Sequence, residues 1–167
     1  MTIDHLAPRL ARGRRYVARL GARAALVGLL LGHAAAALAQ QPVAARAPLV
    51  VGSDYGGDVG ARANKIAAMR KAGQHAEIRG RLCYSACTMY LSLPGTCVQP
   101  NTRFGFHGPS FYGLALAPEQ FEFWSRIIAA HYPQPLQRWY LKTGRHSRAL
   151  IKIRGSELIR LGIPACG

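Results

Sequence analysis

The spacing of apolar and polar positions divides the chain into short segments. Leu49-Val50-Val51 is a brief β-branched run and predicts a strand. Ser53 to Gly57 reads as the turn that follows it. From Val59 to Lys71 the period lengthens. Val59, Ala63, Ile66, Ala67 and Arg70 recur at helical spacing, with Arg70 at the edge of the stripe. Gly73 predicts the helix stop. Ala76 to Arg79 is a second short strand. Strand, turn, helix and strand in that order form a βαβ unit, which implies a parallel pairing through a right-handed crossover.

Ser85 stands before an apolar run, Ala86 to Leu93, which predicts a second helix ended by Pro94-Gly95. Cys97-Val98 reads as a third strand, Asn101-Thr102 as a turn, and Arg103 to His107 as a fourth strand. Gly108 to Leu116 has no period and reads as a loop. Pro118 to His131 is amphipathic, with Phe121, Trp124, Ile127 or Ile128, and Tyr132 on one face. Pro133 and Pro135 interrupt it, and Leu136 to Lys142 is a further helix ending at Gly144. Ser156 is a suitable N-cap for a last helix, Glu157 to Leu161, with Gly162 as its stop. The pattern therefore predicts one α/β domain over residues 49–167.

The N-terminus carries a different pattern. Residues 9–23 are rich in Arg, Ala24 to Leu38 is apolar apart from Gly28, Gly32 and His33, and Ala37-Leu38-Ala39 offers a small-x-small cleavage site. Residues 1–39 read as a secretory signal and 40–48 as a linker. The apolar run is shorter than the roughly 20 residues a membrane span needs, which favours a cleaved signal; an uncleaved membrane anchor or a buried helix is the alternative. Arg14-Arg15 is read as ordinary leader charge. The expected location is outside the cytoplasm, in a periplasm, with no membrane span left after cleavage.

Charge changes the picture less than its total suggests. The chain has 22 Lys and Arg against 7 Asp and Glu, a net +15. Part of that belongs to the leader; residues 40–167 keep 16 basic and 6 acidic residues, a net +10. A solvated basic surface accounts for this, and contact with anionic envelope components or acidic peptides is the functional alternative. No nucleic-acid motif and no clustered basic run accompanies the charge, so no nucleic-acid partner is expected.

All four cysteines, Cys83, Cys87, Cys97 and Cys166, lie after the leader, and an oxidising compartment would bridge them. Four cysteines allow three pairings. Zinc binding is the competing use of four thiols. However, Cys83 and Cys87 do not form a tight Cys-x2-Cys pair and the other two lie far apart in sequence. No metal and no nucleotide or other cofactor is implied.

Three pieces hold candidate chemistry. Gly56-Gly57-Asp58-Val59 can bring main-chain N–H groups close to a reacting atom, because glycine permits the approach. Ser85, between two cysteines at a helix start, is a candidate nucleophile, and His107 a candidate base for it. The amides of Gly57 and Ala86 would hold an oxyanion. Each piece also has a plain reading: Ser85 as a helix cap, His107 as a core histidine, Gly56-Gly57 as a turn. His75, His131 and His146 read as surface residues, and Phe121, Trp124 and Tyr132 as core.

In order and spacing, Gly56-Gly57-Asp58-Val59, Cys83-Tyr-Ser-Ala-Cys-Thr88 and Val98-Gln-Pro-Asn-Thr-Arg-Phe-Gly-Phe-His107 resemble the ClpP-like branch of the ClpP/crotonase superfamily. More narrowly they resemble exported bacterial members with a C-x-S-A-C motif. Ser156-Glu-Leu-Ile-Arg-Leu-Gly-Ile163 resembles a late element of the same family. The resemblance implies a spiral of ββα-type units, trimmed at its N-terminal edge, and a serine hydrolase of peptidase type acting on a peptide or protein. Ring-forming relatives make a homo-oligomer an expectation. It also implies the pairing Cys97–Cys166, leaving Cys83–Cys87 to clamp the turn around Ser85; Cys83–Cys97 is the rival. The family takes its triad Asp from the region matching His146 to Lys152, which has no acid here. Asp58, Asp54, Ser147 and His146 are the candidates to orient His107, with Ser147 first by position. The missing acid and short N-terminal part favour the alternative function, a non-catalytic binding or scaffold protein of the envelope.

Overall fold

A computed structural model describes residues 46–167; the predicted signal, residues 1–39, most of the linker and the membrane-anchor alternative lie outside the described residues. The fold is mixed α/β with two small three-stranded sheets. In chain order the strands are β1 (Leu49–Val51), β2 (Ala76–Ile78), β3 (Leu82–Tyr84), β4 (Cys97–Val98), β5 (Arg103–Phe106) and β6 (Ile151–Arg154). The α-helices are α1 (Val59–Lys71), α2 (Pro118–Ala129), α3 (Gln134–Lys142) and α4 (Gly155–Arg160). Two 3₁₀ helices, Ser85–Ser92 and Gly144–His146, complete the set.

The first sheet, β1-β2-β4, is parallel throughout. The second, β3-β5-β6, pairs β3 and β5 in parallel and β5 and β6 antiparallel. The chain passes repeatedly from one sheet to the other. β2 leads into β3, and β4 into β5. Beyond β1, Asp54 makes a parallel bridge to Cys83 of the second sheet. The crossings are tight: a Cβ on Gly80 would lie 2.1 Å from the carbonyl carbon of Gly52. There the amides of Arg79 and Gly80 both donate to the Val51 carbonyl, at 3.0 and 3.1 Å. Thr102 ties in the third crossing by donating its hydroxyl to Gly80 O at 2.6 Å.

The helix α1 spans the predicted residues and closes as predicted, with Gly73 at φ +63° and Gln74 N–H donating to Met69 O. Its buried face differs. Ile66 and Met69 are buried, whereas Ala67 and Arg70 are exposed. A small Ala contributes little burial on either side, so Met69 sets the rotation of the helix. Arg70 instead reaches Ser92.

Two further expectations are corrected, and two strands are added. The segment after Ser85 is a 3₁₀ helix, buried from Ala86 to Leu91. Leu82–Tyr84 and Ile151–Arg154 are strands, made so by pairing with β5. Ser156 is not the cap of the last helix. That helix begins at Gly155 after Arg154, whose N–H donates to the Glu157 carboxylate at 3.1 Å. Gly155 fits there because a Cβ would lie 2.0 Å from Gln99 O.

Apolar residues of both sheets and the helices form one core. Phe106 meets Tyr132 and Trp139 edge-on at 5.6 and 5.5 Å, and Tyr132 meets Tyr140 at 5.3 Å. Such pairs add about 0.5–1.5 kcal/mol each beyond their burial. They fix α3 and the segment before it against the end of β5, where His107 begins.

Both disulfides are formed: Cys83–Cys87 and Cys97–Cys166, with no free cysteine among the described residues. This is the pairing the resemblance implied, and it indicates an oxidising compartment. Cys166 sits where Ala165 bridges Val98, so the C-terminal segment adds to the edge of the first sheet. Among the described residues no helix is long and apolar enough to cross a membrane.

Candidate active site

Ser85 occupies the corner between β3 and the 3₁₀ helix. Tyr84 is extended (φ −111°, ψ 155°) and is the residue that caps the helix. Ser85 itself has φ +52°, in the left-handed region that residues with a Cβ rarely adopt. An N-cap serine would have extended backbone and would accept from an amide two or three residues on. Ser85 does neither. Its Oγ lies 2.8 Å from His107 Nε2.

Several contacts hold that corner. The Cys83–Cys87 disulfide spans it, with both cysteines buried. Thr88 donates its hydroxyl to Ser85 O at 2.7 Å. Because that proton is committed, the buried Tyr132 hydroxyl, 2.7 Å from Thr88 Oγ1, is the donor in their contact. Burial pushes the Tyr132 phenol well up from its ordinary range, so it stays a donor. On the other side, Gly105 leaves room for the Tyr84 ring, which a Cβ would meet at 2.6 Å.

His107 follows β5 directly. Its Nδ1 lies 2.7 Å from Gly108 O. A carbonyl can only accept, so Nδ1 carries the hydrogen. Nε2 is then the bare nitrogen, and it accepts from the Ser85 hydroxyl. The Gly108 peptide is itself clamped: its N–H donates to Ser147 O at 2.9 Å, and a Cβ on Gly108 would lie 1.9 Å from Arg145 O. Tyr140, whose phenol is also pushed up by burial, donates to His107 O at 3.1 Å.

None of the four candidate side chains orients His107. The Ser147 hydroxyl donates to Ala149 O at 2.6 Å, a contact within its own turn. Ser147 acts instead through its main-chain carbonyl, on Gly108. Asp58 caps α1, accepting from Ala61 N–H at 2.6 Å. Asp54 accepts from Gly56 N–H at 2.8 Å and from Arg62 at 2.7 Å. His146 Nε2 faces Arg145 Nε at 3.3 Å.

The Gly56-Gly57 loop lies against Ser85. A Cβ on Gly56 would meet Ser85 Cβ at 2.6 Å and Ala86 N at 3.1 Å. Both glycines have positive φ, +108° and +123°. Among the described residues the amides of Gly57 and Ala86 donate to no protein acceptor. Asp54 and Arg62 brace this loop, since Arg62 also donates to Gly56 O at 3.2 Å and lies over the Tyr90 ring.

Two cavities meet at Ser85 and His107. One, of 530 Å3, runs past Tyr55, Tyr84, Leu114 and Phe121. The other, of 350 Å3, runs past Gly57, Val59, Phe106 and Tyr132. The segment 108–116 borders both, with a tight turn at Phe111–Leu114. Among the described residues no cluster of His, Cys, Asp or Glu has the makings of a metal site.

Sequence reasoning missed Gly108, Thr88, Tyr140 and Arg62 as parts of this arrangement. Gly108 and Tyr140 act on or through main-chain carbonyls, which leave no side-chain signature. Arg62 is separated from Asp54 by a turn, so helical spacing does not connect them. Chemically, a hydroxyl proton can pass from Ser85 to His107 beside two free amides and open space for a ligand. Comparisons of the chain with family models, with curated proteins and with solved structures gave no match, so this arrangement is judged on its own geometry.

Proposed function

We propose that the protein is an exported, periplasmic serine hydrolase of peptidase type, built as a compact ClpP/crotonase-like domain and acting on a peptide or protein. The observation that carries the reading is the Ser85 Oγ–His107 Nε2 contact at 2.8 Å, with Nδ1 committed to Gly108 O. The order of ββα-type units, with strands passing between two sheets, supports the family reading. The Gly-Gly loop beside the serine supports it too.

In this mechanism Ser85 Oγ attacks the substrate carbonyl while its proton moves to Nε2 of His107. The amides of Gly57 and Ala86 receive the developing oxyanion; losing one such donor typically costs about 3–4 kcal/mol. The imidazolium returns the proton to the leaving amine, and an acyl-enzyme remains. Water then attacks the acyl carbon, His107 takes its proton, and Ser85 is restored. Gly108 O holds the productive tautomer, the geometric role a carboxylate plays in a triad, without the negative charge that would stabilise the imidazolium. A slower reaction than a full triad follows.

A second reading rests on that same difference. Among the described residues no carboxylate touches His107. A non-catalytic binding or scaffold protein on this fold would have no need of one. A fluorophosphonate probe separates the two. Ser85 Oγ would displace fluoride from phosphorus and become covalently labelled. Labelling in the oxidised wild type that is lost in both Ser85→Ala and His107→Ala supports the hydrolase. A folded, oxidised wild type that resists labelling supports the binding protein.

A further inference from the structure

The larger cavity beside Ser85 has an uneven charge. Its wall includes Arg145 and Arg148 and no Asp or Glu. Arg145 is already matched, since its guanidinium lies 2.6 Å from Glu122, which stands outside the cavity. Arg126 and Arg145 together hold the Glu122 carboxyl below its usual range. Arg148 is not matched. Its one hydrogen bond is to Gly113 O at 3.2 Å, and among the described residues it has no carboxylate partner. The rest of the wall is mixed: Tyr55, Tyr84, Leu114 and Phe121 give it an apolar side, and Ser110, His146 and Ser147 are polar.

We infer that this cavity is a substrate subsite for an acyl or peptide group that pairs a large apolar portion with a carboxylate, which Arg148 receives. The inference rests on the hydrolase reading and deepens it. A planar guanidinium at the edge of an apolar wall suits a carboxylate better than an ammonium would, because it presents two parallel donors and is weakly hydrated. Its present partner is a neutral carbonyl on the segment 108–116. A carboxylate is the stronger acceptor, so the bond to Gly113 can be exchanged at little cost. A carboxylate of opposite charge would also be drawn in by the net positive surface.

The test uses two series of alkyl fluorophosphonates, with chains of two to eight methylenes. One series ends in a carboxylate and the other in a carboxamide of nearly the same size. Second-order rates of Ser85 labelling are compared at equal chain length. At one or two adjacent lengths the carboxylate should react about tenfold faster in the wild type, the worth of one charge-assisted hydrogen bond near solvent. Arg148→Ala should bring that ratio to one, and Arg148→Lys should keep part of it. Arg160→Ala, which removes a charge on α4, should leave the ratio at its wild-type value. A ratio of one at every length in the wild type overturns the inference and leaves the hydrolase reading standing. So does a preference that survives Arg148→Ala, or one that Arg160→Ala lowers equally, which would report long-range attraction. No labelling by any probe refutes the hydrolase, and the subsite with it.

Discussion

Comparing Ser85→Gly with Ser85→Ala isolates what the backbone of Ser85 costs the fold. Both substitutions remove the hydroxyl and its 2.8 Å contact with His107. They differ at the main chain. At φ +52° a residue with a Cβ gives up about 1–2 kcal/mol that glycine does not. Glycine returns about 0.5–1 kcal/mol of this through its greater freedom in the unfolded chain. The Gly variant should therefore be the more stable by about 0.5–1 kcal/mol. For a domain of this size that corresponds to roughly 2–4 °C in Tm. Thermal unfolding followed by circular dichroism on the oxidised proteins reads the difference directly. An extended position with no capping role predicts the opposite order, because such a backbone favours alanine over the more flexible glycine. If Ser85→Gly melts at or below Ser85→Ala, the serine is not held at a cost, and the argument from its backbone fails.

Other outcomes follow from the same geometry. Gly108→Ala places a Cβ 1.9 Å from Arg145 O and must shift the carbonyl that orients His107; fluorophosphonate labelling should slow by a factor on the order of 100 or more, with both disulfides intact by thiol titration. Removing Cys97 and Cys166 together frees a 69-residue separation and should cost about 4 kcal/mol in the chain-entropy account, read as a lower urea midpoint. A loss under about 1 kcal/mol would contradict that account. Desolvation raises both the Tyr132 and the Tyr140 phenols, so the folded protein keeps them neutral where the unfolded chain ionises them, near pH 10. Their contribution is complete below that pH and declines above it, by up to about 1.4 kcal/mol per pH unit for each tyrosine. Ultraviolet titration should show two tyrosinates appearing only with unfolding.

The parts of the fold legible in the sequence were those with a local cause. β1, α1 and β2 follow from a β-branched run, a helical period and a stop glycine. β3 lacks the β-branched residues that mark β1 and β4, and Leu82-Cys83-Tyr84 is a strand only through its partner β5. Ile151-Lys152-Ile153-Arg154 does carry the alternation of a half-buried strand, in a run too short to stand out before its pairing with β5 is known. The helix α4 starts earlier than Ser156 suggests, because the close approach of Gly155 to Gln99 O fixes its position. In the site, Ser85, His107 and the Gly-Gly loop each had a side-chain or glycine signature. The orienting group had none: it is the carbonyl of the residue after the histidine, and any residue type has one. What selects Gly108 there is the nearby Arg145 carbonyl, a contact across 37 positions that no local pattern encodes.

The two disulfides are consecutive along the chain, and neither loop encloses or interleaves with the other. A polypeptide that crosses a membrane N-terminus first meets the oxidant one cysteine at a time. Cys83 and Cys87 arrive together, separated by four positions, and can join before Cys97 has a chance to compete. Cys97 must then wait, as the one remaining thiol, until Cys166 arrives. Oxidation in order of arrival thus leads to the native bonds without reshuffling. Refolding the fully reduced chain offers all three pairings at once. It should be slower, and helped by a disulfide isomerase.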